Sequence, residues 1–177
     1  NKEKYPCEFN PNPPYEVTST PWLSNEEIQK LKKCEDALER MYNSGRFLLT
    51  LDYLINQCNY TPFRLFMEIG NAINGNGMAL SEYAEKIFNH FKEKVDFELL
   101  REALICDMLS CSSALQVPEI LKIKDPLLKR ITKHFTDGQS DKIKLAILYK
   151  QQKVFVVNQS KPKGFDGRYP SKIYNLD

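Results

Sequence analysis

Apolar residues recur at helical spacing along most of the chain, and the stripes predict five or six amphipathic helices. They lie at about 24–43, 47–58, 61–73, 81–95, 96–111 and 125–136. Several ends carry clear signals: Ser24 and Glu27 form a capping box, Pro62 stands at a first helical position, and Asp96 is an N-cap. Gly45 supplies the positive φ that ends the first helix.

The period changes to two near the C-terminus, where residues 143–149 and 153–157 predict a β-hairpin. The tail 158–177 reads as loop, and the five prolines of residues 1–23 exclude a helix or a central strand there. The predicted fold class is therefore mainly α, an orthogonal or irregular bundle with one small C-terminal hairpin. We divide it into an extended arm or linker from an upstream domain (1–23), a helical domain (24–138) and a hairpin with a basic tail packed on it (139–177).

Charge is unevenly distributed although the net charge is only +2. Residues 1–121 hold 12 basic and 18 acidic side chains, whereas residues 122–177 hold 13 and 5. Either the two parts pair within one fold, or the C-terminal part docks an anionic partner. Apolar runs are too short for a membrane span and no signal peptide opens the chain, so we expect a cytoplasmic location and no membrane partner.

Cysteine and histidine usage predicts no metal site. The five cysteines include no CxxC pair, and those on apolar stripes resemble small buried hydrophobes. His90 and His134 stand alone near predicted helix ends. No nucleophile–base pair or carboxylate dyad is apparent either, so we assign no catalytic residue and no cofactor to this chain.

The candidate functional surface is the turn at residues 42–47, which reads YNSGRF. Asn43, Ser44 and Arg46 either cap two helices or form a small anion site, with Arg46 and the amides of the next helix converging. Asp107 lies on the flank of an apolar helix face, where a buried carboxylate needs a partner. We expect a basic partner across the helix packing, with Arg46 as first choice, or else a half-exposed Asp107.

Two further patterns have structural interpretations beside functional ones. A phenylalanine stripe indicates core more than a cofactor pocket; its members are Phe63, Phe66, Phe88, Phe91 and Phe97. The basic region after Glu119 is a nucleic-acid surface only as an alternative, with three aromatics considered for stacking: Phe155, Phe165 and Tyr174. Gly164 and residues 166–168 are too isolated to indicate a phosphate loop.

Five segments in order resemble an uncharacterised helical domain that follows the radical SAM core in bacterial cobalamin-binding radical SAM proteins. Some of those proteins are labelled anaerobic magnesium-protoporphyrin monomethyl ester cyclase. The segments read PPYEV (13–17), WLS (22–24), LK (31–32), YNSGRF (42–47) and TPF (61–63), with a weaker echo at 104–109 and Pro118.

The resemblance implies that a parent protein uses S-adenosylmethionine, a 4Fe–4S cluster and cobalamin. In such proteins a CxxxCxxC triplet in the preceding barrel holds the cluster, and this chain has no such triplet. The resemblance therefore implies a non-catalytic C-terminal accessory domain whose partner is the upstream core. A nucleic-acid-binding module is the alternative.

Overall fold

The predicted helices are present in this computed structural model, which describes residues 6–111, 117–136 and 142–176. The α-helices of these residues are α1 (Asn25–Leu38), α2 (Leu48–Asp52), α3 (Pro62–Ala72), α4 (Leu80–Phe91), α5 (Phe97–Cys111) and α6 (Pro126–Thr136). The strands are β1 (Glu8–Phe9), β2 (Val17–Ser19), β3 (Ile143–Leu148), β4 (Lys153–Asn158) and β5 (Ser171–Asn175). A 3-10 turn, Glu119–Leu121, precedes α6.

The helix starts follow the predicted capping chemistry. Ser24 Oγ accepts from the Glu27 amide at 3.3 Å while the Ser24 amide donates to Glu27 Oε2 at 2.8 Å, which completes the capping box of α1. Asp96 Oδ1 accepts from the amides of Glu98 and Leu99, and Pro62 opens α3. These local contacts satisfy amides that a helix start leaves unpaired.

The first two helices each end in a wider turn. After α1 the chain forms a π-helical turn, Glu39–Asn43, and after α2 a second one, Tyr53–Gln57. The first ends at Gly45, whose φ of 68° reverses the chain as predicted. The turn at 42–47 is thus a junction between two helical segments.

α5 is buried on both sides, because it separates two apolar clusters. The larger cluster, with Leu100 and Leu104 of α5, fills the space among the helices. The smaller joins Cys106 to Phe155 and Val157 of β4. A helix in this position needs apolar residues on two faces.

The C-terminal sheet has three strands, so the prediction of a single hairpin followed by a loop-like tail was incomplete. β3 pairs antiparallel with β4 as expected, and β4 pairs on its other edge with β5. β5 is exposed along its whole length, so it shows none of the apolar alternation that identifies a strand in sequence. Its position gives the apolar β4 a partner on both edges.

The N-terminal arm is also partly ordered. β1 and β2 form a short antiparallel ladder within the predicted extended segment. Its aromatic residues Phe9, Tyr15 and Trp22 are nevertheless exposed, with 81% of Trp22 accessible. The arm is therefore shaped by its own backbone pairing and not by burial of these rings.

The phenylalanine stripe is only partly core. Phe66, Phe88 and Phe91 are buried, whereas Phe63 and Phe97 are 63% and 48% exposed. Both exposed rings lie in the first turn of a helix, α3 and α5 respectively, where the chain is still entering the packed layer. Helical spacing alone over-counted the core.

Replacing Gly70 by alanine should destabilise the protein by about 1–3 kcal/mol, as overpacking does. α1 crosses α3 so closely there that an added Cβ would lie 2.2 Å from the Lys33 carbonyl oxygen. Asn71→Ala is the matched control, because Asn71 is the next residue of α3 and is exposed. Urea unfolding measures both; equal stability of the two variants would contradict the close crossing.

Candidate functional site

The most polar point of the interior is the carboxylate of Asp107 in α5, whose side chain is fully buried. Its Oδ1 accepts from the Leu49 amide at 3.1 Å, and its Oδ2 accepts from the Thr50 amide at 2.8 Å and the Thr50 hydroxyl at 2.7 Å. All three donors belong to the first turn of α2. The carboxylate thus satisfies amides that this turn would otherwise leave unpaired.

Asp107 has a cationic partner, but the partner is Arg168 and the expectation of Arg46 was wrong. Arg168 Nη2 lies 2.9 Å from Asp107 Oδ1, and its Nη1 donates to the Gly45 carbonyl at 3.1 Å. The Arg46 carbonyl instead accepts from the Cys111 thiol, and its side chain is exposed. Because the backbone carbonyl of Arg46 points into the interior, its side chain extends into solvent.

Burial and pairing act in opposite directions on this carboxyl. Burial raises the pKa of Asp107, whereas the Arg168 guanidinium, the Thr50 hydroxyl and the two amides lower it, and the net pKa lies above the ordinary value. The charge of Arg168 is therefore what makes an ionised Asp107 tolerable in this interior.

The predicted anion site at the start of α2 is consequently filled by the protein's own side chain. The two amides that could bind an external anion are bonded to Asp107. Ser44 serves the turn as the capping interpretation predicts, because its hydroxyl donates to the Arg40 carbonyl, whereas Asn43 donates to the side chain of Glu39 at Oε1. All three predicted turn residues are exposed, and Arg46 is the one whose side chain forms no hydrogen bond or salt bridge with a described residue.

A second loop, residues 163–168, completes the site and was missed in the sequence. It packs so closely on the turn that a Cβ on Gly45 would lie 2.8 Å from the Asp166 carbonyl oxygen. The loop is held by Arg168, whose amide donates to Asp166 Oδ1 at 3.0 Å, and by the Gly167 amide, which donates to the Gly164 carbonyl. The usable signal was an arginine in a glycine-rich turn together with a buried aspartate lacking an obvious partner.

An open pocket of about 440 Å³ lies between this loop and the 42–47 turn. Its lining comes from the turn, the start of α4, the end of α5 and the loop: Ser44, Gly45, Arg46, Leu80, Cys111, Lys163 and Gly167. The charged members of this lining, Arg46 and Lys163, are both cationic. Sequence reasoning placed Arg46 here and did not find Lys163.

Two further polar residues, Glu102 and His90, have structural partners. The buried Glu102 accepts from the Lys150 amide at 2.7 Å and from Gln151 Nε2 at 3.0 Å, which ties α5 to the β3–β4 turn. His90 lies 2.9 Å from Glu68 at the packing of α4 on α3. Across residues 6–111, 117–136 and 142–176, no three His, Cys, Asp or Glu side chains converge as metal ligands.

Four of the thirteen basic residues of 122–177 form salt bridges with described acidic groups: Lys122, Lys124, Lys150 and Arg168. Lys150 lies 3.1 Å from Asp96, and Lys122 lies 2.9 Å from Glu119. Phe155 is buried in the sheet, so it is not available for stacking on a base. The other two aromatics considered for stacking are exposed: Phe165 and Tyr174.

The fold and the site define a mainly α domain with a small antiparallel sheet, built around a buried ion pair beside a cationic pocket. The chain belongs to the family described as protein of unknown function (DUF4080), whose model matches residues 3–162. No curated protein and no solved structure matches it. Within the described residues, no helix is both long and apolar enough to span a membrane.

Replacing Arg168 by methionine should cost about 3–5 kcal/mol at neutral pH, because it leaves a buried charge without its partner. The loss relative to wild type should shrink as the pH falls. Removing the guanidinium raises the pKa of Asp107 further, and the penalty disappears once the folded protein takes up that proton. Urea unfolding from pH 7 to pH 4 measures this difference.

Lys172→Met is the charge-matched control, since Lys172 is exposed on β5. Its effect should be small and independent of pH. The double variant Asp107→Asn/Arg168→Met should be more stable at neutral pH than Arg168→Met alone, because no charge is then buried. A pH-independent loss in Arg168→Met would show that packing, and not the ion pair, is responsible.

Proposed function

We propose that this chain is a non-catalytic accessory domain of a cobalamin-dependent radical SAM protein. It covers or shapes the substrate or partner site of the catalytic core that precedes it in the same protein. The ordered motifs of residues 13–67 support this proposal, and they fall inside the range matched by the family model. The core holds S-adenosylmethionine, the 4Fe–4S cluster and cobalamin, and this domain contributes shape and charge.

The observation that carries the proposal is the N-terminal arm. Phe9, Tyr15 and Trp22 are exposed on a segment whose backbone is ordered. An ion pair between Glu16 and Lys32 of α1 fastens the arm to the helices. Exposed aromatic rings on a fixed backbone suit a protein contact, because little conformational entropy is lost when they are covered.

The turn at 42–47 is the second contact surface in this proposal. Tyr42 and Arg46 are exposed there, while Asn43 and Ser44 hold the turn in shape. Asp107 fixes the backbone just beyond it through Leu49 and Thr50. The surface is thus preorganised for a partner or a substrate, and Asp107 acts on it by positioning.

A nucleic-acid-binding module is the second candidate, and one observation favours it. Lys129, Arg130 and Lys133 of α6 are exposed, and no described residue forms a salt bridge with any of them. Four other basic residues of the C-terminal region are paired with acidic groups of the fold: Lys122, Lys124, Lys150 and Arg168. Binding to generic DNA or RNA with a steep salt dependence would favour this candidate over the accessory domain.

The proposal predicts that the coding region upstream of Asn1 encodes a core with a CxxxCxxC triplet, and that this core binds the arm. With the core produced as a separate polypeptide, Trp22 emission should shift to shorter wavelength on mixing, because the ring moves from water into an interface. Trp22 is the only tryptophan of this chain. Subtracting the spectrum obtained with Trp22→Phe isolates its signal.

Trp22→Ala should weaken the association about tenfold or more, as large aromatic anchors do. Phe63→Ala is the control, an aromatic on α3 outside the arm that is 63% exposed. Absence of the triplet upstream, or an unchanged Trp22 spectrum with a folded core, would contradict the accessory-domain proposal.

A further inference from the structure

The pocket between the 42–47 turn and the 163–168 loop has a charge balance that nothing in the fold requires. Both charged side chains of its described lining are cations, from segments more than a hundred residues apart. Neither Asp107 nor Asp166 lines the pocket: Asp107 is paired with Arg168, and Asp166 Oδ1 accepts from the Arg168 amide. The pocket therefore keeps a positive potential that internal acidic groups do not cancel.

Arg46 is the available cation of this pocket. Its side chain is exposed, and no described residue accepts a hydrogen bond from its guanidinium or forms a salt bridge with it. Arg168, only a few ångströms behind the Gly45 backbone, has its donors on Asp107 and on the Gly45 carbonyl. The fold thus uses one arginine for its own stability and leaves the other open to an anion.

Lys163 adds a second charge with donors to spare. Its ammonium donates to the Cys111 carbonyl at the end of α5 and lies 5.0 Å from the centre of the Tyr169 ring. An ammonium has three N–H donors, and one of them is used by a described residue, so two are left for a ligand. The contact with α5 also fixes where the charge stands, which lowers the entropic cost of binding.

The rest of the lining selects the shape of the ligand. Gly45 and Gly167 expose backbone without side chains, and nothing lies within 4 Å of a Cβ built on Gly167. Leu80 supplies an apolar wall to the pocket. A bare inorganic ion would leave that wall unused, whereas an organic anion would contact it.

We propose that this pocket binds a small organic anion, a carboxylate or a phosphate ester, with its charged end between Arg46 and Lys163. Its apolar body lies against Leu80. The site is inferred from this chain alone. The further step, that this anion is the substrate of the upstream core, rests on the proposed function.

The test is an NMR titration of the chain with phenyl phosphate and with benzoate, followed by isothermal calorimetry. The amides of Gly45, Arg46 and Gly167 should shift with a saturable, millimolar or tighter dissociation constant. Benzyl alcohol, the neutral analogue, should leave them unmoved, and inorganic phosphate should bind more weakly than phenyl phosphate. The comparison of phenyl phosphate with benzoate tells which anionic group the site prefers.

Arg46→Gln should weaken binding about tenfold or more, as expected for loss of a charge-assisted pair. It should leave unfolding stability unchanged, since the Arg46 side chain has no hydrogen-bond or salt-bridge partner among the residues that the structure describes. Lys163→Gln should also weaken binding, with its amide spectrum checked because Lys163 caps α5. Lys172→Gln, the same charge change on exposed β5, should bind like wild type.

Three results would overturn the inference: no local shifts at tens of millimolar anion, equal weakening by Lys172→Gln, or equal shifts with benzyl alcohol. If inorganic phosphate binds as tightly as phenyl phosphate, Leu80 contributes nothing to affinity. That result would contradict the inference that the ligand is an organic anion. Because the titration uses this chain without the core, it can fail while Trp22 still reports docking. Equally, the titration can show anion binding while Trp22 emission stays unchanged on mixing with the core.

Discussion

The structure depends on one constraint, the burial of an aspartate in the middle of its central helix. A carboxylate cannot enter an apolar interior without donors and a counter-charge. Asp107 of α5 obtains them from two segments that are remote in sequence, the first turn of α2 and the loop containing Arg168. Placing that one side chain therefore fixes the mutual position of these segments. Leu100 and Leu104 on one face of α5 and Cys106 on another provide the hydrophobic free energy that makes the burial tolerable.

The burial of Asp107 also explains why cations, and not free backbone amides, give the neighbouring pocket its charge. The amides of α2 and the guanidinium of Arg168 are engaged by Asp107, so they add structure and no ligand affinity. Arg46 is left outside this arrangement, and the loop that delivers Arg168 also delivers Lys163. Asp107 and Arg168 thus stabilise the fold, whereas Arg46 and Lys163 supply the charge of the pocket beside them. Substitutions in the first pair are therefore expected to change stability, and substitutions in the second pair to change anion binding.

Local chemistry in the sequence predicted much of the fold. The capping box at Ser24, the stop at Gly45 and the six helical stripes depend on residues a few positions apart, and the structure has all of them. The sequence also indicated that Asp107 needs a partner. It did not identify Arg168, because that pairing joins residues far apart in the chain and only the folded topology brings them together. β5 was missed for a related reason: it is a short edge strand specified by its neighbour β4 and not by its own pattern.

The recognisable sequence of the family and the physical unit do not end at the same place. The match stops at residue 162, whereas Arg168 and β5 follow it. A chain cut at 162 would keep the motifs of residues 13–67 and still contain an unneutralised Asp107, an uncovered edge on β4 and a pocket without Lys163 and Gly167. Residues 163–176 therefore hold α5, α2 and β4 in place through Arg168 and β5. Trimming the chain for expression at the end of the family match would remove them.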